Sequence, residues 1–404
     1  MHKQFFRRFV RGAGASCFSF FLAAVGTAQQ VIENPAKPPS VNAGRVVALK
    51  EIVRITDDKG KFLFVQPFNV LTGYDGSVYV QESTQLLKFD AQGRFVKNLL
   101  KRGQGPGELD DNLTDVIVRE KDIILWSSNN YKLIRLDLDG RLIEDKKLVQ
   151  GFLGSLLGAF GGRYFFLRHE IDTAKSRPRV NGIVETPRRL VIVPENGEAV
   201  PTPVLMPTTE ALHFGPRSTS MSTISRAMPA AAGDRTVFLF HSPGYLIKLL
   251  DLETGEVVRS FRREYDRVKY EVKAPPGYPA EIIPKFHNDL CRLLWRNDRL
   301  WAVTSTFDKN KGILVDVFSR EGKYLDNFYL PLFKIRKNNP QYYAPMAIWG
   351  NYLYLLEADE DDIISLIKYE IVGEEFVIPR LGPRPTSTGG ERGYSQTKRF
   401  LRPR

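Results

Sequence analysis

The chain repeats one pattern six times: a turn with Gly, Asn or Asp, an apolar strand, a hairpin, a second apolar strand, a glycine turn and a third strand. Two clear copies begin at Gly76 (GSVYVQESTQLLKFDAQGRFVKNL) and at Asp122 (DIILWSSNNYKLIRLDLDGRLIEDKKL). Repetition at this length is typical of arrays in which each unit buries its apolar surface against its neighbours. The repeat therefore constrains the fold more than any other feature.

The turns within the repeats give their number and spacing. The glycine turn before the last strand falls at Gly93, Gly140, Gly197, Gly255, Gly322 and Gly373, at intervals of 47, 57, 58, 67 and 51 residues. Inside each unit, single strands recur about every eight to twelve residues, as four-stranded antiparallel blades require. The pattern predicts an all-β fold, a six-bladed β-propeller of four-stranded antiparallel blades.

The last repeat supplies only three strands, since it ends near Val372. An unpaired run with strand composition, Val46 to Ile55 (VVALKEIVRI), stands before the first full repeat. If this run provides the missing fourth strand, two exposed sheet edges disappear at once. We therefore expect an N-terminal strand to close the ring, with a free N-terminal arm as the alternative.

The beginning of the chain differs in composition from the repeats. Its first 28 residues combine a basic start, which includes Arg7 and Arg8, with a short apolar core from Cys17 to Val25 and small residues after it. This pattern is typical of a secretory signal peptide, and the apolar run is too short to span a bilayer. We expect an exported protein, periplasmic or extracellular. A lipoprotein is the weaker alternative, because Cys17 precedes the apolar core.

Composition divides the chain into four segments. We assign 1–28 to the signal peptide, 29–44 to a linker, 45–373 to the propeller and 374–404 to a basic, largely disordered tail. The net charge is +12, but the signal and the tail contribute +4 each, which leaves +4 for the body. The body has no basic stripe with interleaved aromatics, so we expect no nucleic-acid partner. We also expect no transmembrane segment and a monomer.

The segment that begins at Gly103 (GQGPGELDDNLTDVIVREKDIILWSSNNYKLIRLDLDGRLI) resembles an NHL-type repeat. That pattern places a Gly-rich loop before an apolar strand, a polar turn with Asn and a second apolar strand ending in Asp-x-x-Gly. The string RGQGPGE, Arg102 to Glu108, is similar to secreted bacterial six-bladed β-propellers of unassigned function. The resemblance is sharp over Gly73 to Leu148 and looser from Gly151 to Val372. It implies a fold and an exported location, and no particular reaction.

Connectors between blades share one rim of a propeller with the hairpins between each second and third strand. Long irregular segments are expected there: Val204 to Ser225, Tyr265 to Asn288 and Pro331 to Tyr343. Such long loops in a compact domain are often functional, so we expect the binding surface on this rim. The candidate ligand-binding residues are Arg102, Gln104, Glu108, Asn129, Tyr278 and Tyr342.

The glycines of RGQGPGE permit two interpretations. Gly103, Gly105 and Gly107 allow a close backbone approach, so that their amides could line an anion site beside Arg102. Alternatively, they serve a connector that has to turn tightly, and we favour this structural interpretation. The string is followed neither by a helix nor by Lys-Ser/Thr, which excludes a phosphate-binding loop of the usual kind.

A second set of polar residues follows the second strand of each repeat. Among them His169, His241 and Glu357 could converge at the axis, with Asn129 or Asp359 as a further ligand. Imidazole and carboxylate groups of this kind would suit Ca²⁺ or Zn²⁺. Ser and Thr occupy other positions of the same ring, so we favour a protein without a cofactor.

Two hypotheses of function follow from these observations. The preferred one is an exported binding module that holds a peptide, a glycan or an envelope protein through the long-connector rim, without catalysis. The alternative is a metal-dependent hydrolase or lyase, similar to propeller lactonases. Scattered histidines and the lack of a catalytic pair within one motif favour the first hypothesis.

Overall fold

The computed structural model describes residues 30–372, apart from 59, 149–152, 171–180, 196, 215–218, 226–228, 242–243, 272–278 and 334–344. The segments assigned to a signal peptide (1–28) and to a C-terminal tail (374–404) therefore lie outside the described residues. In the described part the chain forms six blades of β-sheet and one short 3₁₀ helix. The predicted fold class is confirmed.

Three strands precede the first blade: β1 (Ile32–Asn34), β2 (Arg45–Val46) and β3 (Ala48–Ile55). Blade 1 comprises β4 (Asn69–Thr72), β5 (Val78–Gln81), β6 (Leu86–Phe89) and β7 (Phe95–Asn98). Two very short strands follow, β8 (Lys101–Arg102) and β9 (Glu108–Leu109). Blade 2 comprises β10 (Asp115–Val118), β11 (Asp122–Ser127), β12 (Lys132–Asp137) and β13 (Leu142–Lys147).

Blade 3 comprises β14 (Ser155–Phe160), β15 (Arg163–His169), β16 (Gly182–Pro194), β17 (Val200–Phe214) and β18 (Thr219–Ser225). Blade 4 comprises β19 (Pro229–Ala231), β20 (Thr236–His241), β21 (Leu246–Asp251) and β22 (Glu256–Arg263), and the 3₁₀ helix Ala280–Ile282 follows it. Blade 5 comprises β23 (Leu290–Arg296), β24 (Arg299–Asp308), β25 (Gly312–Ser319) and β26 (Tyr324–Leu330). Blade 6 comprises β27 (Met346–Trp349), β28 (Tyr352–Ala358) and β29 (Ile364–Val372).

The middle strands of a blade are apolar on both faces. Every residue of β5 and of β11 is buried, whereas the outermost strand β7 is largely exposed. A middle strand lies between two neighbouring blades, so both of its faces meet apolar surface. This explains why runs such as ILW in β11 are continuous instead of alternating.

The hydrophobic core is divided among the interfaces between blades. In the described part, six clusters of buried residues each join two neighbouring blades. Trp126 of blade 2 packs on Phe166 of blade 3 with ring centroids 4.8 Å apart. Phe261 of blade 4 packs on Phe318 of blade 5 at 5.2 Å. Gly322, with a φ of 80°, lies so close to Phe261 that a Cβ would come within 2.6 Å of its ring.

The N-terminal strand β3 closes the ring, as predicted. It pairs antiparallel with β29, from Ala48 opposite Val372 to Ile55 opposite Leu366. Leu49 packs against the cluster between blades 5 and 6, and Ile55 packs against the cluster between blades 6 and 1. Blade 6 thereby obtains its fourth strand, and the alternative of a free arm is excluded for these residues.

The segment 29–44, which we expected to be a linker, contains a strand that pairs with the ring. Within it, β1 runs parallel to β22 of blade 4; just after it, β2 runs parallel to β26 of blade 5. The Asn34 side-chain amide donates to the carbonyl oxygens of Arg262 (3.0 Å) and Gly322 (2.9 Å), which belong to these two blades. The N-terminal strands thus cover the outer edges of three consecutive blades, and blades 4 and 5 have five strands.

In blade 3 the structure differs from one expectation based on the sequence. We expected a connector from Val204 to Ser225, and this prediction was wrong, because strands β17 and β18 occupy most of that segment. β16 and β17 pair from Gly182 opposite Leu212 to Ile192 opposite Val200. A long antiparallel partner satisfies the backbone groups that a surface loop would leave to water.

A buried ionic network connects blades 4 and 5. Asp316 is fully buried and accepts a hydrogen bond from Arg263 Nε at 2.7 Å. The hydroxyls of Tyr245 and Tyr324 donate to the same carboxylate at 2.6 and 2.7 Å. The Arg263 guanidinium also lies over both tyrosine rings, 5.2 and 5.4 Å from their centroids. The charge of Arg263 is therefore balanced inside the interface.

Replacing Asp316 by Ala should lower the free energy of unfolding by about 3–5 kcal/mol, because it leaves the Arg263 guanidinium buried without its counterion. Asp326 forms an ion pair of the same length, 2.7 Å, with Arg45, but these side chains are 22% and 31% exposed. Asp326→Ala should therefore cost about 1 kcal/mol or less. Chemical denaturation measures both losses, and equal losses would contradict this account of the interface.

The closure of the ring is tested at Leu49. Leu49→Ala should lower the free energy of unfolding by about 2 kcal/mol, at the low end for such changes because the side chain is only partly buried. Lys50 is the control, since its side chain is 69% exposed on the same strand. Lys50→Ala should change stability by about 0.5 kcal/mol or less. A Leu49→Ala variant as stable as the control would mean that β3 adds little to the ring.

Candidate functional site

The connectors and the hairpins between second and third strands meet on one side of the ring, which we call the connector rim. The connector 56–68, between blades 6 and 1, is held there by Glu82 in the hairpin of blade 1. Glu82 is 1% exposed and accepts hydrogen bonds from the backbone amides of Val65 (3.1 Å) and Gln66 (3.2 Å). The Gln85 side chain donates to the same carboxylate at 2.9 Å. A buried carboxylate with three donors thus fixes this connector.

The same connector presents apolar side chains to solvent. Leu63 is 52% exposed and Val65 is 71% exposed, whereas Phe62 and Phe64 are buried in the cluster between blades 6 and 1. This alternation is the period of an extended backbone, in which successive side chains point to opposite sides. We call Leu63 and Val65 the apolar pair. Its position is set by the buried phenylalanines and by Glu82.

The three glycine amides of the loop RGQGPGE have hydrogen-bond acceptors within the chain. The amide of Gly105 donates to Glu108 Oε2 at 3.0 Å, and the amide of Gly107 donates to Asp145 Oδ2 at 2.5 Å. The amide of Gly103 donates to a backbone carbonyl at 3.2 Å. An external anion would need these amides, and two carboxylates of the chain occupy two of them. The geometry supports the structural interpretation of the glycines.

The other predicted rim residues of this region bind the connector that contains this loop. Arg102 donates to the carbonyl oxygens of Asp111 (2.6 Å) and Asp110 (2.8 Å). The Asn129 side chain donates to the Asp111 carboxylate at 3.1 Å, and Gln104 hydrogen-bonds to the Asp110 carboxylate. The structure therefore brings Arg102, Gln104 and Glu108 together in one well-bonded connector, and Asn129, in the hairpin between β11 and β12, binds that connector. The remaining two candidates, Tyr278 and Tyr342, lie outside the described residues.

The side chains of two predicted metal ligands, Glu357 and Asp359, bind different parts of blade 6. Glu357 accepts a hydrogen bond from the Tyr369 hydroxyl at 3.3 Å and lies 4.0 Å from Arg54. Tyr369 and Arg54 belong to β29 and β3, the two outer strands of blade 6. Asp359 accepts two backbone amides of its own hairpin, at 3.0 and 2.8 Å, and so stabilises the hairpin tip.

The two predicted histidine ligands end the second strands of blades 3 and 4. Next to His169, Glu170 forms an ion pair with Arg189 at 2.6 Å. The side chain of His241 lies outside the described part of the chain. Within that part, no group of three or more His, Cys, Asp or Glu side chains is arranged to hold a metal ion. The metal site stays a prediction.

A cavity of about 480 Å³ lies along the axis of the ring. All six innermost strands contribute to it; one residue from each is Leu71, Ile117, Leu157, Ala231, Leu293 and Ile348. Its size is within the range of small-molecule sites, about 300–1,000 Å³. Sequence reasoning missed this cavity, because each inner strand reads only as a short apolar run.

Three hydrogen bonds join blades that are not neighbours across the axial cavity. Arg292 Nη2 of blade 5 donates to Asn69 Oδ1 (3.0 Å) and to the Val70 carbonyl oxygen (3.2 Å) of blade 1, near the connector rim. At the opposite end, the Tyr74 hydroxyl of blade 1 donates to Asp234 Oδ1 of blade 4 at 3.0 Å. The cavity therefore lies between a guanidinium and a tyrosine–aspartate bridge.

Asp289 precedes the innermost strand of blade 5 and is 2% exposed. Burial raises the pKa of its carboxyl to about 6, although Arg267 Nε, 3.0 Å from Oδ1, favours the charged form. The folded protein therefore keeps a proton on Asp289 up to about pH 6, whereas the unfolded chain loses it near pH 4. As the pH rises from about 4 to about 6, ionisation of Asp289 therefore lowers the free energy of unfolding.

Between pH 4 and pH 6, Asp289 should reduce the free energy of unfolding by up to about 3 kcal/mol. Asp289→Asn should remove this part of the pH dependence, because the amide carries no titrating proton. Denaturation at pH 4, 5, 6 and 7 measures the effect, and Asp326→Asn, at a carboxyl that is 22% exposed, is the control. An unchanged slope between pH 4 and 6 in Asp289→Asn would show that Asp289 is already ionised there.

The chain is similar to known β-propellers. Residues 56–185 match the model of a family described as 6-bladed beta-propeller. Among solved structures, a Bacteroides fragilis protein provisionally described as exported is 12% identical, with a TM-score of 0.50 over 85% of this chain and 100% of that chain. A DUF4221 family member from Bacteroides vulgatus is 11% identical, with a TM-score of 0.41 over 82% and 99%. No curated protein matches the chain.

The fold and the family match define the class of the protein: a six-bladed β-propeller, as the sequence resemblance implied. At 12% identity, the likeness to the Bacteroides fragilis structure shows the fold alone. The NHL type of the repeat stays a prediction. In the described residues, no helix has the length and apolar character of a membrane span.

Proposed function

We propose that the protein is an exported binding module that holds a peptide or an envelope protein through the connector rim. The observation that carries this proposal is the fixed, exposed apolar pair, Leu63 and Val65. Export rests on the composition of residues 1–28, which is typical of a signal peptide.

The chemistry of the apolar pair favours a protein ligand over a glycan. Aliphatic side chains gain most from contact with other apolar side chains, about 25 cal/mol for each Å² removed from water. The connector is already ordered by Glu82 and by the buried Phe62 and Phe64, so a partner would bind without ordering this loop first. Pre-organisation of this kind lowers the entropic cost of association.

A second fixed feature of the connector rim is an extension of blade 3. Residues 182–187 of β16 and 207–214 of β17 continue beyond the end of β15. Within the extension, Glu210 is fully buried, accepts a hydrogen bond from the Thr186 hydroxyl at 2.6 Å and lies 3.4 Å from Arg188. Ala211 packs on Ile282 of the connector between blades 4 and 5. The rim is therefore raised on one side, as a shaped binding surface requires.

The proposal is tested with the double variant Leu63→Asp/Val65→Asp. Tagged protein is incubated with envelope extract from the producing cells, cross-linked and analysed by mass spectrometry. A protein captured by the wild type should be lost with the double variant, because two carboxylates oppose an apolar contact. Val96→Asp is the matched control, since Val96 is 46% exposed on the outer strand of blade 1 and should not affect capture.

The outcome that contradicts the proposal is equally specific. Capture that persists with the double variant would show that the apolar pair is not the contact surface. Both substituted side chains are exposed, so thermal unfolding should remain within a few degrees of the wild type and exclude misfolding as the cause. Binding to a glycan array that is unaffected by the double variant would favour a carbohydrate ligand instead.

A further inference from the structure

We propose that the segment bound at the connector rim is an amphipathic helix of the partner, and that an apolar side chain of this helix fills a groove beside the apolar pair. The groove lies between the connector 56–68 and the hairpin that joins β5 and β6, and it has a volume of about 390 Å³. This inference rests on the proposed function, because it concerns the same surface, and it adds the conformation of the segment that binds there.

The lining of the groove favours an apolar side chain. Phe62, which is buried, and the exposed Leu63 and Val65 line it on the connector side. Thr84 and Gln85 line it on the hairpin side. A side chain that enters the groove exchanges water for these aliphatic and aromatic groups, which stabilises the complex. The groove therefore suits a side chain that projects from its own backbone.

The backbone of the connector is a poor edge for an added β-strand. The Phe62 amide donates to the Asp58 carbonyl oxygen at 3.1 Å, and the Phe64 amide donates to Asp57 Oδ1 at 2.7 Å. The next two amides along the chain are held by Glu82. Strand addition works through main-chain hydrogen bonds, and here these amides already have acceptors within the chain. The partner therefore binds through its side chains.

A helix meets this requirement, because its backbone groups bond to one another. Leu63 and Val65 are two residues apart, which is about 7 Å in an extended backbone. In a helix, residues i and i+4 lie on one face with a rise of about 6 Å between them. Two apolar side chains on successive turns of a helix therefore match the spacing of the apolar pair.

The polar groups of the groove have partners within the chain. Lys61 is the lining residue with a charged side chain among the described residues, and its Nζ forms an ion pair with Asp58 at 2.8 Å. The Gln85 side chain donates to the Leu63 carbonyl oxygen at 2.7 Å and to Glu82 at 2.9 Å. The groove therefore selects its ligand by apolar contact and shape, and not by charge.

The conformation of the ligand is tested by fluorescence anisotropy with two labelled peptides of leucine, lysine and glutamate. The first, of about 14 residues, has leucines at i, i+3, i+4 and i+7, the pattern of an amphipathic helix. The second has the same composition with leucines at alternate positions, the pattern of a strand. The mature chain should bind the first peptide about tenfold more tightly or better. Leu63→Asp/Val65→Asp should remove this preference.

A further variant tests the groove apart from the apolar pair. Thr84 is exposed and lines the groove, so Thr84→Arg places a long charged side chain there. It should weaken binding of the helical peptide about tenfold, because that charge would have to be buried. Thr254→Arg is the matched control, since Thr254 is exposed in the hairpin between β21 and β22 and does not line the groove. Thermal unfolding shows whether each variant is folded.

The results separate this inference from the proposed function. Capture from envelope extract that persists with the double variant contradicts the proposed function. If capture depends on the apolar pair, the helix is overturned by equal or weaker binding of the helical peptide, by lack of binding of both peptides, or by unchanged binding to Thr84→Arg. A dimer that forms with the wild type and is lost with the double variant would place a second copy of the chain in the groove and overturn it as well.

Discussion

Each blade of this protein buries its faces against its two neighbours, and all other features depend on the ring that this mutual burial requires. Six interface clusters form the main core of the described residues, and the last interface is completed by β3 with Leu49 and Ile55. Because the clusters hold the innermost strands in place, the axial cavity has a fixed shape. For the same reason the connectors leave the ring at fixed positions, which makes a rigid rim.

The period of the repeat predicted the blades well, because each blade is a local unit of consecutive hairpins. Counting strands also predicted that Val46 to Ile55 would close blade 6, since an unpaired sheet edge is costly. β1 and β2 could not be predicted in this way. They have three and two residues, too few for a periodic signal, and their partners lie more than 200 residues away. The extension of blade 3 was missed because it is stabilised by the pairing of β16 with β17 and by the contact of Ala211 with Ile282 in another connector.

The candidate sites show the same division between local and distant information. The glycines of RGQGPGE indicated a tightly turned connector from local sequence alone. Asp145, which accepts a hydrogen bond from the Gly107 amide, is 38 residues away and could not be found in this way. Glu357 was placed near the axis by its position at a strand end, whereas its side chain meets Tyr369 on the outer part of the blade. The alternation of Phe62 to Val65 was a local signal that could have found the apolar pair. The axial cavity had no such signal, because six separate strands form it.

The path of the N-terminal segment has a consequence for the order of assembly. Asn34 is made early, yet its side chain bonds to Arg262, 228 residues later, and β3 waits for β29, the final strand described. Contacts between such distant parts of a chain slow folding. Until β1 and β2 pair with them, the outer edges of blades 4 and 5 are unpaired strand edges, which other chains can bind. The strands β1, β2 and β3 are thus made before every strand that they pair with, and they stay unpaired until blades 4, 5 and 6 have been made.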